Sequence, residues 1–341
     1  MNSSAANSTN PVFSSASANL GIAILSLAFV IGFPGNAFVI WTILTQVKKR
    51  TVTCILILHL AIADIIVILT APIFLHLLST HSWVYGNVVC KLCHYIGNVS
   101  MYASIFLITF MSMDRFFAVS RPFTSQKIRT KPIVRSIVLV IWILATLFSI
   151  PSPINRSVEI IGNNKLCITV QGEGKGPQRH LVVQYVLETM MGFVIPFSMI
   201  LFCYIYIGLR LRRAKFQTKH KTNQLVIMII IAFALFWLPY FIVNIIQVFG
   251  ELLSSNKLKY AAQSARPNTT ALAFLSSSVN PILYAFAGGN FIRTAGIGFM
   301  AKLFEGSGSE ASSIRKVSQV LQQRSRKQST EQGKLKEAVE E

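Results

Sequence analysis

Long stretches without a charged residue constrain this chain more than anything else in its 341 residues. No Asp, Glu, Lys or Arg occurs before Lys48, and further gaps run over 92–113, 136–155, 189–209, 222–250 and 267–292. One more apolar run, Ile55 to Leu78, is interrupted only by the carboxylate of Asp64. Each of the seven is near or above the roughly 20 residues with which an α-helix crosses about 30 Å of hydrocarbon. A soluble helical protein would break such runs with a polar face at every turn. A mean hydropathy of +0.55 with only 13% charged residues argues against one. The expected fold is an all-α membrane protein, a seven-helix bundle. A charge at the depth of Asp64 costs about 2.5–3.5 kcal/mol on insertion scales, so Asp64 should face a polar cavity inside the bundle.

Orientation follows from the cations. Lys48 and Arg50 follow the first run, Arg121, Lys127, Arg129 and Lys131 the third, and Arg210 to Lys221 the fifth. Positive loops stay in the cytoplasm, so the N-terminus is expected outside, with the first helix as an uncleaved anchor. Segment 1–18 is polar and carries two glycosylation sequons, at Asn2 and Asn7. The formal net charge of +20 is concentrated in these loops and in the tail, where membrane lipids and an acidic partner surface are the expected counter-charges rather than nucleic acid. Positive-inside topology alone explains most of it.

Five cysteines are too few for a disulfide scaffold. Cys54 and Cys203 lie in apolar runs, whereas Cys90 and Cys167 face the oxidising side and are the expected bridge, with Cys93, one turn deeper, as a competing partner. Pro34, Pro72, Pro151, Pro153, Pro196, Pro239 and Pro281 fall within the spans, where each removes a backbone hydrogen bond and bends its helix.

Taken in order, Gly35-Asn36, Leu60-Ala61-Ile62-Ala63-Asp64, Asp114-Arg115-Phe116, Trp142, Pro196 with Tyr204, Phe236-Trp237-Leu238-Pro239 and Asn280-Pro281-Ile282-Leu283-Tyr284 resemble the rhodopsin-like (class A) G-protein-coupled receptors over about 19–304. The likeness implies a two-state lock at Asp114 and Arg115, released when the sixth helix swings outward, and a relay through Trp237, Pro239, Tyr204, Asn280, Pro281 and Tyr284. A membrane-interface ion pair is the plainer reading of Asp114 and Arg115. Phe116 stands where the family usually has Tyr, so a hydrogen bond made by that hydroxyl is absent. Asp64, Ser104, Ser276 or Ser277, and Asn280 form an oxygen set suited to an allosteric sodium ion, with a protonated Asp64 bonded to Asn36 and Asn280 as the alternative.

Family spacing also excludes ligands. Gly97 occupies the place of the amine receptors' acid, and Phe274 that of the retinal lysine, so neither an amine receptor nor an opsin is expected. The outer halves of the spans carry His94, Asn98 and Tyr102 at i, i+4 and i+8 on one face of the third helix. Arg156 is placed at the end of the fourth helix, Arg179 before the fifth, Arg266 before the seventh, and Glu188 and Asn244 inside the fifth and sixth. Guanidinium groups pair with carboxylates, and Met101, Met190, Met191, Phe193 and Phe241 suit a hydrocarbon chain. The plain alternative is that the arginines snorkel to headgroups and His94 is a packing residue.

Four further stretches, Cys90 to Tyr95, Val99 to Ser104, Leu272 to Pro281 and Ala301 to Gly306, closely resemble the leukotriene B4 receptors of that family. The resemblance implies leukotriene B4 or a related acidic lipid as ligand, with its carboxylate on Arg156 or Arg179 and its hydroxyls on His94, Glu188 and Asn244. It also implies a Gi-type heterotrimeric G protein, leukocyte chemotaxis and a plasma-membrane location. Within the expected domain 19–289 no catalytic constellation is visible, so an enzyme is not expected. Segment 290–304 reads as an amphipathic eighth helix on the membrane surface. Segment 305–341 reads as a disordered tail with Ser307, Ser309, Ser312 and Ser313 open to receptor kinases and then to arrestin. A peptide chemoattractant receptor and, more remotely, a transporter are the competing functions.

Overall fold

The structure, a computed structural model, describes residues 15–48, 50–121, 125, 129–162, 164–169, 178–213 and 221–287. The expected eighth helix, the tail serines and both sequons lie outside them.

Helix α1, Ser15–Trp41, begins inside the stretch assigned to the N-terminal segment and ends in a wide turn, Thr42–Gln46. Arg50 folds back on that turn, its Nε donating to Ile43 O (3.2 Å) and its Nη2 to Leu44 O (2.8 Å), which satisfies carbonyls that a helix end leaves orphaned. Helix α2 opens at Val52 with Thr51 as its cap and runs to Ile68, then resumes as Ala71–Thr80 with Pro72 in its first turn. The break falls where Pro72 cannot donate to the preceding turn. Helix α3 is Gly86–Ser120 and α4 is Lys131–Phe148, followed by the single turn Pro151–Ile154. Helix α5 comprises Arg179–Thr189, a π turn at Met190–Val194, and Ile195–Arg213. Helices α6, Lys221–Leu252, and α7, Asn256–Ala287, keep Pro239, Pro267 and Pro281 in their interiors.

Among the described residues six of these helices are long and apolar enough to cross a membrane. Helix α7 matches the others in length. Exposure is inverted relative to a water-soluble bundle. Leu139, Ile205 and Leu235 are more than half exposed, while Asn36, Asp64, Glu188 and Asn244 are buried. That is what a hydrocarbon solvent selects, because apolar surface costs nothing there and polar groups must be satisfied internally.

Between α4 and α5 the chain forms a hairpin absent from the sequence-based expectation: β1, Arg156–Ile161, antiparallel to β2, Asn164–Thr169, with Val158 opposite Cys167. The expected bridge is present, Cys90 to Cys167 with Cα atoms 5.7 Å apart, and Cys93 is a buried free thiol. It pins the hairpin over the outer end of α3.

The hairpin also corrects one position. Arg156 opens β1 rather than ending the fourth helix, because the helical turn stops at Ile154. Likewise Arg179 opens α5, and Arg266 lies well inside α7 rather than before it. Charge gaps mark hydrocarbon depth, and helices continue past it into the polar zone.

Small residues set the α1–α7 contact. A Cβ on Gly32 would lie 2.6 Å from Ser278 Oγ, and one on Gly35 would lie 2.7 Å from Pro281 Cβ. Without those side chains the helices approach closely enough for Asn36 Nδ2 to donate to Ser277 O (2.9 Å) and Ser278 Oγ to Ala28 O (2.7 Å). Gly32→Leu is expected to cost about 1–3 kcal/mol through overpacking. Thermal inactivation of the purified protein in detergent should show a lower midpoint, whereas Gly97→Ala, where an added Cβ meets nothing, should leave it unchanged.

Candidate functional site

A cavity of about 720 Å³ opens beneath the hairpin among the outer halves of the helices. His94, Gly97 and Asn98 line it from α3, Arg156 from β1, Tyr185 from α5, Trp237 and Tyr240 from α6, and Arg266 and Phe274 from α7. Apolar walls come from Leu25, Val67, Leu78 and Ala271. Phe74 packs edge-on to both His94 (5.6 Å between ring centroids) and Phe274 (5.7 Å), which fixes the imidazole against the wall.

The buried carboxylate of Glu188 organises the polar side. Its Oε1 accepts from Asn98 Nδ2 (2.9 Å) and Gln184 Nε2 (2.8 Å), and its Oε2 from Tyr240 OH (2.9 Å) and Asn244 Nδ2 (3.2 Å). Asn155 Nδ2 donates to Gln184 Oε1 at 2.6 Å, and Arg266 Nη1 to Asn244 Oδ1 at 2.9 Å. Helices α3, α5, α6 and α7 are therefore joined through one carboxylate. Residues Gln184 and Glu188 meet because they are one turn apart on α5.

Two cations stand without a carboxylate. Among the described residues the salt bridges are Arg129 with Asp114 and Lys259 with Glu251, neither of which involves Arg156 or Arg266. The Arg266 guanidinium lies 4.6 Å from the Tyr185 ring centroid and 5.8 Å from that of Tyr240, and its Nη2 has no hydrogen-bond partner. Burial pushes the pKa of Arg156 down; phenols and Glu188 push the other way, and the nearby charge of Arg266 adds to the lowering. A guanidinium nevertheless stays protonated. The result is a positive, partly dry wall suited to an anion.

Four sequence candidates lie outside the cavity wall. Tyr102 is fully buried one turn below Asn98, packed on Phe106 and Phe148 at ring distances of 5.8 and 5.7 Å, and does not line the cavity. Glu188 and Asn244 act behind the wall, through Asn98, Tyr240 and Arg266. Arg179 is exposed and is not part of the wall. Sequence reasoning passed over Tyr240 and Gln184. Gln184 carried a usable signal, a polar residue one turn before Glu188; Tyr240 sat unmarked in an apolar run.

Below the cavity, Trp237 Nε1 donates to Ser276 Oγ (2.9 Å), and its ring continues a stack through Phe233, Phe197 and Phe193. Asn280 Nδ2 donates to Asp64 Oδ2 at 2.8 Å, and Ser277 is buried nearby. Ser104 is buried. The donor set is carboxylate, hydroxyl and amide oxygen, which fits a hard monovalent cation, although Ser276 already gives its hydroxyl proton to Ala273 O (2.8 Å).

At the far end, Asp114 Oδ1 pairs with Arg129 Nε at 2.9 Å. Thr53 Oγ1 accepts from Arg129 Nη2 (3.3 Å) and from buried Arg115 Nη2 (3.5 Å). Asp114 is thus tied to the segment before α4. Phe116 packs on Tyr206 of α5, with ring centroids 4.9 Å apart, as an apolar contact. Tyr204 is partly buried against the main core; Tyr284 lies in α7, with its side chain outside the described residues.

The model of the 7 transmembrane receptor (rhodopsin family) matches residues 35–284. The chain belongs to that receptor family. The receptor is 45% identical over 301 residues to leukotriene B4 receptor 1 of Homo sapiens, covering 87% of this chain and 85% of that protein. It is 38% identical over 297 residues to human leukotriene B4 receptor 2 (84% and 81% covered). It is 32% identical over 303 residues to the C3a anaphylatoxin chemotactic receptor of Oncorhynchus mykiss (87% and 81%). As a member of this family the receptor is a multi-pass protein of the plasma membrane and not an enzyme.

Proposed function

We propose that the receptor binds leukotriene B4 or a closely related acidic, hydroxylated lipid and signals through a Gi-type heterotrimeric G protein, with its N-terminus outside the cell. The observation that carries this reading is the pairing, in one cavity, of two carboxylate-free guanidinium groups with a buried polar network around Glu188. A lipid carboxylate neutralises the arginines by charge-assisted hydrogen bonds, and hydroxyls bond to the His94, Asn98 and Tyr240 side of the wall. The hydrocarbon chain lies on Phe274, Leu78 and Ala271. The relatives named for leukotriene B4 support the choice of lipid.

Signalling in this reading is a population shift. The ligand favours the state open to the G protein by its differential affinity, about 1.4 kcal/mol for each tenfold. Trp237, Pro239, Tyr204, Arg115 and Tyr284 transmit it, and release of Asp114 from Arg129 accompanies it. Receptor kinases acting on Ser307, Ser309, Ser312 and Ser313, followed by arrestin, terminate it. Nucleotide exchange on Gi in membranes expressing the receptor, titrated with leukotriene B4 and with analogues lacking each hydroxyl, tests the reading. A nanomolar response that collapses without the hydroxyls supports it; silence with verified surface expression rejects it and turns attention to peptide chemoattractants.

An allosteric sodium ion belongs to the same reading, held by Asp64, Ser104, Ser277 and Asn280, with Ser276 beside them. Bound there, it would supply positive charge that offsets a buried carboxylate. Asp64→Asn is expected to abolish the dependence of agonist affinity on sodium concentration. Equal sodium sensitivity in radioligand competition on the variant would exclude the site.

A further inference from the structure

Two polar ladders face each other across the outer part of the cavity. On α6, Tyr240, Asn244, Gln247 and Glu251 recur at helical spacing, and on α7 Lys259, Gln263, Arg266 and Thr270 do the same. The inner rung is Arg266 Nη1 donating to Asn244 Oδ1 at 2.9 Å, and the outer rung is Lys259 Nζ, 2.7 Å from Glu251 Oε2. On each helix the outer rung lies seven residues from the inner one, about 10 Å along the axis. Glu251 lines the cavity and is buried, its Oε1 accepting from Gln247 Nε2 at 3.0 Å. Lys259 keeps a quarter of its side chain exposed. The backbone holds this rung in place: Ser255 N donates to Gly250 O (2.9 Å), and a Cβ on Gly250 would lie 3.0 Å from Lys259 N. An ion pair therefore stands at the mouth with its cation reaching solvent and its carboxylate facing the cavity, whereas the inner cation is met by an amide.

We propose, resting on the ligand reading above, that Lys259 is an entry subsite for the carboxylate of the acidic lipid, with Glu251 keeping its hold weak. An ammonium carries three donors, so the bond to Glu251 leaves Lys259 able to take a second carboxylate on its exposed side. The negative charge of Glu251 opposes that second anion, so the ligand is caught at the mouth and not kept there. It then moves about 10 Å inward to Arg266 and Arg156, neither of which forms a salt bridge among the described residues. Gln263, between Lys259 and Arg266 on α7, lines the path with an amide that can donate to a passing carboxylate. Charge sets the class of ligand that profits: a free acid is attracted at each cation, and a neutral ester at none.

The experiment measures association and dissociation rates of radiolabelled leukotriene B4 and of its methyl ester on the full-length receptor in nanodiscs of neutral lipid. Charges at a rim act mainly on encounter, so Lys259→Gln should slow association of the free acid about threefold or more, and Glu251→Gln should speed it by about as much. Lys259→Gln strands a buried carboxylate and can cost stability. Glu251→Gln combined with Lys259→Gln avoids that and should return the rate to within about twofold of wild type, because the two charges are lost together. Dissociation of the acid and association of the ester should change less than about twofold in every variant. The same bound applies to acid association in Lys257→Gln, an exposed cation outside the cavity lining. Acid association unchanged in Glu251→Gln overturns the entry subsite, and so does an equal shift for acid and ester, which means packing rather than charge. No saturable binding of the acid to wild type overturns the ligand reading itself, and the subsite with it.

Discussion

Glu188→Gln is expected to lower both the melting temperature of the receptor and its affinity for an agonist carrying hydroxyls. Each oxygen of the carboxylate accepts two hydrogen bonds, one pair from Asn98 and Gln184 and the other from Tyr240 and Asn244. An amide of the same shape offers one oxygen and one NH2, so whichever way it turns at least one amide donor faces a donor; of the four partners only the Tyr240 hydroxyl can turn and accept. A buried donor stripped of its acceptor costs about 1–3 kcal/mol, so even one should take a few degrees from the midpoint. Affinity should fall by at least about tenfold, because Tyr240 and Asn98, which line the cavity, lose the group that orients them. Thermal-shift and saturation-binding measurements on purified receptor read both effects. Asn98→Ala combined with Glu188→Gln should lose less than the sum of the single variants, as residues sharing one network do. Strict additivity, or an unchanged midpoint, would show that Glu188 is not the organiser.

Arg156→Ala is expected to weaken binding of the free-acid lipid by about 10- to 150-fold, corresponding to one hydrogen bond to a charged group, and to leave the methyl ester nearly unaffected. The guanidinium makes no salt bridge among the described residues, and Glu188 keeps its four hydrogen bonds without it, so folding should survive. Equal losses for acid and ester in competition binding would mean that Arg156 does not touch the carboxylate. The same comparison with Arg266→Ala is complicated by Asn244, which would lose its donor and disturb the Glu188 network.

The seven spans were legible because hydrocarbon imposes a length and excludes charge, two properties that survive in any linear reading. So was the bridge, since Cys90 and Cys167 were the cysteines assigned to the oxidising side. The carboxylate of Asp64 announced a polar interior by its cost, and it is met there by Asn280. Depth and loop geometry were harder. Periodicity placed His94, Asn98 and Tyr102 on one face of α3, but each further turn descends about 5.4 Å, and Tyr102 ends among aromatic rings. The arginines outside the spans follow no helical period relative to the bundle. A hairpin brought Arg156 over the cavity, while Arg179 sits on the exposed face of the first turn of α5. Tyr240 was silent because a phenol in an apolar run reads as packing until its partner is known.

The wide turn at Met190–Val194 leaves one more mark on the molecule. An α-helix advances about 100° per residue, so a turn that holds one extra residue swings everything beyond it by about that angle relative to an unbroken helix. Glu188 lies just before the turn and Tyr204 beyond it. The half of α5 that reads the ligand and the half that faces the G protein share an axis but not a phase, so each can be aimed at its own neighbours without turning the other.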